Sequence, residues 1–516
     1  MTYELAPFSP GGAGVVICSL VEELLQQGYG VTVLAHASPD VVGEWAALMR
    51  SRGWSSEGPS ALIVHHIPAL VDELSLSEHA CSPKHLFLFR SGVIAEAVGR
   101  AYGLHPFDVL ELFDYAGSGF DLLRRLRMWQ TFSGVFRPPP LPPHIPIVVR
   151  LHGTVQLIHQ SERALAIFSS SSTPPACSSK DDSSAWPLMY LMERYALLGA
   201  HAVFAQSQAM VDLYTSAYGL AREQVALAPP PMGRVLAPFA GATWKGGPKL
   251  RGGKAAFRLL VYGRVARMKG SETIAHAIPL ITQGLPPGTS LSVVFVGIDW
   301  PCPVHSCPTS KCVQEIIQGQ QQTGKVQVTF EKAIDRAKLC AVAQGFHGGV
   351  IASEFETFNL AAHELAACGL PLITSGIPAL REFFTPLNAY PFQTAEPSSL
   401  AMAALGLYKD CVDGEPRTAQ LVYADPVEPY RRLVALARSD PEAMAQHDAN
   451  SLLATDFSIS IQSRGCFESY ECKRQWWGEL DVAREEVRQP DSRTKNENNP
   501  PRSRNNPAAK PLSKIV

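Results

Sequence analysis

The 516-residue chain has no apolar run near the ~20 residues that a helix needs to span a bilayer. That removes a membrane-spanning helix and leaves peripheral contact with a membrane open. Excess charge is also missing. The formal net charge is -2, so nothing points to nucleic acid, and any anionic ligand must be held by a local site. There is no paired C-x2-C and no tandem repeat. Eleven cysteines, an odd number, are scattered through the chain. They predict reduced thiols in a cytoplasmic or stroma-like reducing compartment, not a disulfide framework. A first buried strand is nearly absent too, because turn chemistry (Pro7, Pro10, Gly11, Gly12) begins within a few residues. The expectation is that the start of the chain is missing, and with it any targeting peptide.

What is present is an ordinary globular balance, 46% hydrophobic and 18% charged, in a chain long enough for two domains. Short runs rich in Val, Ile, Leu and Phe alternate with helical-period segments. The runs are Gly30–Ala35, Ala61–Ile67, Val109–Phe113, Ile145–Leu151 and Ala202–Gln206, then Arg258–Tyr262, Leu291–Val296, Val326–Phe330, Gly349–Ala352 and Pro371–Thr374. Val15–Gln27 and Pro187–Leu198 are helix candidates between them. This alternation predicts α/β architecture with two parallel sheets covered by helices. The expected organisation is an N-terminal domain over 1–235, a Pro/Gly-rich basic linker over 236–255 and a second domain over 256–455. A helix over 456–488 and a disordered tail over 489–516 follow. Two insertions are expected, near 137–146 and 169–184, the second a solvated low-complexity loop.

The stretch from Ser353 to Pro371 is the most informative. A buried strand ends near Ser353, and a polar loop carrying Glu356 leads to a helix expected to start near Thr357 or Phe358. That loop lies at the C-terminal edge of a parallel sheet, where open α/β folds bind ligands. The unpaired N–H groups of the helix start, around Thr357, Phe358, Asn359 and Leu360, suit a diphosphate. Glu364, two turns along, offers a second carboxylate for hydroxyl groups. The bland alternative is an acidic loop before a helix with one solvated Glu. At the first strand end of the second domain, Gly263 permits a close turn, while Arg264 and Lys269 project toward the cleft as cations able to neutralise a leaving diphosphate. Alone, this reads equally as a basic surface loop.

Together these segments resemble the family-4 glycosyltransferases. Glu356 and Glu364 match E-x7-E, and residues 263–270 match Gly-Arg-x4-Lys-Gly. Pro-Gly-Gly-Ala-Gly at 10–14 is similar to the family's glycine loop, Arg150-Leu-His-Gly to its cleft motif, and Arg194–Ser207 to the segment closing the N-domain. The resemblance spans about residues 3–385. It implies a GT-B fold of two facing Rossmann-like domains, with a C-terminal helix crossing back to the acceptor-side N-domain. It also implies a retaining transfer from a nucleotide-diphosphate sugar to an unidentified acceptor, with no cofactor and no divalent metal. By the same resemblance Arg264 and Lys269 hold the diphosphate and Glu364 the ribose. Glu356 touches the sugar, the N–H groups of 357–360 cap the phosphates, Gly11 and Gly12 approach the donor, and His152 lies near the transferred sugar. Asn359 departs from the glycine common there, and the segment before Glu382 lacks paired glycines. Other readings on such a scaffold are a phosphorylase, an epimerase, or a degenerate homologue that binds without turnover.

Weaker signals complete the inventory. Glu111 and Asp114 end a strand and either face an acceptor hydroxyl or, for Asp114, cap a turn. Cys302, His305, Cys307 and Cys312 lie within eleven residues and form a weak metal candidate, without zinc-ribbon spacing. His347 reads as a surface-loop residue, Ser207 as a helix cap or a cleft residue, and Trp476 and Trp477 as packing in the C-terminal helix.

Overall fold

In the computed structural model the described residues are 2, 4–8, 12–71, 86–131, 139–158, 186–250, 256–302, 307–321, 324–414 and 416–441. They contain three sheets, and every pairing within them is parallel. Strands β1 (Val31–Ala35) and β2 (Leu62–His66) form the first. The second has the order β3 (Leu110–Phe113), β4 (Ile147–Arg150), β5 (Ala202–Ala205) and β6 (Val225–Leu227). The third comprises β7 (Ala256–Tyr262), β8 (Ser290–Val296), β9 (Val326–Glu331), β10 (Gly348–Ile351), β11 (Leu372–Ser375) and β12 (Tyr390–Phe392). Its spatial order is β12-β11-β10-β7-β8-β9.

That order explains the site. The chain winds outward in one direction from β7 through β8 to β9, then in the other from β10 to β12. The C-terminal ends of β7 and β10 therefore flank a topological switch point, where two loops diverge and leave a crevice. The strands there are apolar on both faces because both are covered. Leu259, Val293 and Val350 pack into one buried cluster, and their neighbours Leu260, Val294 and Ile351 into another. In the N-terminal half, β1 and β3 share a cluster containing Leu5, Val33, Ala35 and Phe113. Thr2 makes a single parallel bridge to Ala35.

Several expectations change. Strands β6 and β12 are only three residues long, too short to register as apolar runs. The helix after β10 begins at Leu360, with Asn359 as its cap, and not at Thr357 or Phe358. His347 is fully buried, not in a surface loop; its ring accepts from Arg258 N at 2.9 Å and bonds Pro248 O at 2.8 Å. In the proline-rich stretch, Leu141 and Ile145 are buried. Cys340 and Cys368 form a disulfide, so the expectation of reduced thiols fails for that pair.

The segments 169–184, 456–488 and 489–516, with Trp476 and Trp477, lie outside the described residues. A helix earlier in the chain, Glu428–Ser439, packs against the N-terminal half. Its Tyr430 meets Phe204 edge-on at 5.0 Å, and Arg438 reaches Asp108 at 3.0 Å. Among the described residues no helix is long and apolar enough to cross a membrane.

Candidate active site

The loop after β7 and the loop after β10 are locked together. Gly270 has φ of 72°, and a Cβ there would lie 2.0 Å from the carbonyl oxygen of Ala352, so only glycine allows this approach. The contact brings Lys269 into an ion pair with Glu356. Asn359 completes the arrangement. Its backbone is left-handed, φ 67°, as a glycine would be. Its side chain adds what glycine lacks, because Oδ1 accepts from Ala362 N at 3.0 Å and Nδ2 donates to Glu356 Oε1 at 3.0 Å. The departure from glycine thus keeps the turn and adds a cap. Helix α1 (Leu360–Ala367) begins there and aims its N-terminus into the crevice. Behind that start, Phe358 is buried and stacked 4.3 Å from the His363 ring.

Arg264 is exposed, its guanidinium 5.3 Å from the ring centroid of Trp300. Glu364 is 4% exposed and paired with Arg336. Burial raises the Glu364 pKa and Arg336 opposes the rise. Beside these loops a groove of about 460 Å³ is lined by Val265, Gly297, Ile298, Asp299, Phe330 and Glu331.

The N-terminal side is built differently. Asp114 is fully buried and accepts from the backbone N–H groups of His152 and Gly153, both at 3.0 Å, and from the Tyr214 hydroxyl at 2.8 Å. Desolvation lifts its pKa to about 6. It neither caps the following turn nor faces an acceptor; it grips the loop after β4. Gln206 Nε2 donates to Leu151 O at 2.9 Å, which fixes its amide orientation, and lies 3.0 Å from His152 Nδ1. Nδ1 is therefore the acceptor and Nε2 carries the proton. Burial, helped by Arg150, pushes the His152 pKa down to about 3, so the ring is neutral. His152 Nε2 is buried without a hydrogen-bond partner, as are His65 Nε2 and His363 Nε2.

The two sides meet. A Cβ on Gly12 would lie 3.5 Å from Leu360 Cδ1, and one on Gly153 would lie 3.7 Å from Thr357 Cγ2. Ser207 Oγ accepts from Met210 N as the cap of the next helix and, fully buried, also donates to Thr357 O at 3.0 Å, so of its two readings the cap is the one seen. Glu382 accepts from Gln208 N and Ala209 N, placing a carboxylate at the start of the helix Gln208–Tyr218. The structure thus brings Gly12, Gly153, Lys269, Glu356, Thr357, Asn359 and Leu360 close together, with His152 beside Gly153, Phe358 buried behind them, and Gly263, Arg264 and Glu364 on the same sheet edge.

Other expectations do not join it. Glu111 is held by Arg150 Nε at 3.0 Å and by Tyr430, beneath the helix Glu428–Ser439, so its carboxylate serves packing and not an acceptor. Cys307 and Cys312 have sulfurs 3.4 Å apart, and Cys302 is buried nearby. No group of three or more metal-ligating side chains occurs among the described residues. His305 and Gly11 lie outside them. The residues sequence reasoning missed are Gln206, Trp300 and Arg336. Gln206 stood next to Ser207 at a strand end, a usable signal; Arg336 stood in a polar stretch with none.

Comparisons with known proteins agree with this architecture. The family model described as Glycosyltransferase Family 4 matches residues 10–232, and the one described as Glycosyl transferases group 1 matches residues 256–410. The glycogen synthase of Mycobacterium tuberculosis is 25% identical over 196 residues, 38% of this chain and 42% of that protein. The matched stretch thus spans about two fifths of the length of that relative. Among solved structures, sucrose-phosphate synthase from Thermosynechococcus elongatus has 18% identity and a TM-score of 0.50, covering 92% of this chain and 94% of its own. Anabaena HepE in complex with UDP has 16% identity and a TM-score of 0.47, covering 85% and 92%. At such identities the likeness to the synthase speaks to fold alone, which is GT-B. With both family models matched in order across most of its length, the chain belongs to the family-4 glycosyltransferases.

Proposed function

We propose that this glycosyltransferase moves a sugar from a nucleotide-diphosphate donor to a hydroxyl acceptor, with retention of configuration and without a divalent metal. The observation that carries the reading is the Lys269–Glu356–Asn359 cluster at the switch point, directly before the N-terminus of α1. A diphosphate at that helix start would meet the N–H groups of Thr357–Leu360 and two cations, Arg264 and Lys269. As the bond to the sugar breaks, negative charge grows on the phosphate oxygen, and fixed cations lower the barrier where a metal would otherwise be needed. Glu356 pairs with Lys269, and a phosphate at the helix start would compete with it for that cation.

Glu356, already bound by Lys269 and Asn359, is suited to accept from a sugar hydroxyl and not to attack the anomeric carbon. Retention then follows if the acceptor approaches on the face the phosphate leaves, with the phosphate oxygen taking the acceptor's proton. His152 Nε2–H donates to the sugar, and Glu364 accepts from the ribose. The groove beside Val265, Asp299 and Glu331 is open to the base.

The test is binding of UDP-, ADP- and GDP-sugars beside Arg264→Ala and Glu364→Ala, followed by turnover with and without EDTA. The expected result is saturable binding of one nucleotide class, lost or strongly weakened in both variants, with EDTA-insensitive transfer. Failure of every nucleotide to bind would sink the reading.

A further inference from the structure

The Glu364 carboxylate does not stand alone. Arg336 closes Nε at 2.8 Å and Nη2 at 2.7 Å on the same oxygen, Oε1, and Tyr262 also hydrogen-bonds this carboxylate. The guanidinium is itself fixed from elsewhere. Its Nη2 donates to Val235 O at 2.8 Å, and its plane lies 5.4 Å from the Phe239 ring centroid. Val235 and Phe239 belong to the segment joining the N-terminal sheet to β7. A buried carboxylate accepts up to about four hydrogen bonds, so a fork on one oxygen leaves capacity on the other. Without a cation beside it, an acid this buried shifts toward its protonated form, which donates where a ribose diol needs an acceptor.

We propose that Arg336 is the positioning residue for ribose recognition: its fork holds Glu364 turned so that its remaining lone pairs meet the donor's 2′- and 3′-hydroxyls. This rests on the nucleotide-sugar reading above and deepens it. Arg336 touches no reacting atom; it acts through Glu364. One turn further along each element, the Cys340–Cys368 disulfide joins the same two segments independently of the ion pair. The register between them therefore survives loss of the guanidinium, and Arg336 can be replaced without releasing α1.

The experiment is calorimetric titration of the full chain with UDP, ADP and GDP and with their 2′-deoxy and 3′-deoxy counterparts. It is repeated for Arg336→Met and Arg336→Lys, with thermal unfolding of each protein alongside. The unmodified chain should prefer a ribonucleotide over its deoxy form by about tenfold, the scale of one hydrogen bond to a charged group. In Arg336→Met that ratio should fall to about one or two, while Arg336→Lys recovers part of it. A ratio unchanged in Arg336→Met, even with weaker overall affinity, would show that Arg336 is only structural and overturn the proposal by itself. Failure of every nucleotide to bind the unmodified chain would overturn the nucleotide reading and this inference with it.

Discussion

The two sides of the crevice are built on opposite electrostatic plans. On the C-terminal side the groups are charged and paired: Lys269 with Glu356 and Arg336 with Glu364, with Arg264 against Trp300. On the N-terminal side His152 is neutral, and Asp114 and Gln206 hold its loop through buried hydrogen bonds. The difference teaches how labour divides in such a cleft. On the proposed reading, charge belongs where a diphosphate would be held and released, and neutral donors in fixed positions where a sugar would be oriented without being ionised or trapped. The N-terminal side is not poor in ionisable groups; burial keeps them silent or committed, as Arg150 is to Glu111, Ala228 and Tyr430.

The comparison can be broken or sharpened by substitution. The largest effect is expected on the charged side. Arg264→Ala or Lys269→Ala should lower kcat about 10²- to 10³-fold, as removal of one fixed stabiliser of developing charge does, measured by steady-state transfer. An equal loss of kcat in variants of the N-terminal loop with donor affinity also lost would erase the distinction.

Next is Asp114→Ala, which strips the acceptor from two backbone N–H groups and the Tyr214 hydroxyl. It should cost about 3 kcal/mol in denaturant unfolding, because buried donors are left unsatisfied. Asp114→Asn, which keeps one acceptor oxygen, should cost less.

A third prediction concerns pH. Burial depresses the His363 pKa from its ordinary 6.5 to about 3, as it does that of His152. The folded state binds this proton less readily than the unfolded chain. The contribution to stability is therefore present above about 6.5 and is lost as pH falls toward about 3. His363→Phe should reduce the slope of stability against pH in that window by up to about 1.4 kcal/mol per unit, seen in urea titrations at several pH values. The difference between variant and parent isolates this ring from the carboxylates that titrate nearby. The smallest effect is expected at Ser207→Ala, about 1 kcal/mol, since it removes a helix cap and a single bond to Thr357 O.

Much of the fold was legible in sequence because buried parallel strands are written as unbroken apolar runs; ten of the twelve strands show this. Strands β6 and β12 escaped because three residues do not make a run. Residues of the C-terminal site were legible because they sit in loops whose spacing is set by the strand–loop–helix units themselves, as with Glu356 and Asn359. Glu111 misled because a carboxylate at a strand end looks the same whether it faces a ligand or a buried arginine 39 residues away, a partner set by tertiary packing. Arg336 stayed hidden for the same reason: its partners are Glu364, Val235 and Phe239, none close in sequence. The disulfide joins Cys340 to Cys368, and spacing does not single out that pair among eleven cysteines.

The central claim is that donor charge is handled on one side and sugar orientation on the other. The most direct test is to measure nucleoside-diphosphate affinity and sugar transfer in parallel for Lys269→Ala and His152→Ala. The account predicts that Lys269→Ala weakens nucleotide binding about tenfold or more. It predicts that His152→Ala binds the nucleotide as the unmodified chain does and transfers poorly. Loss of nucleotide binding in His152→Ala, or its retention in Lys269→Ala, would contradict it.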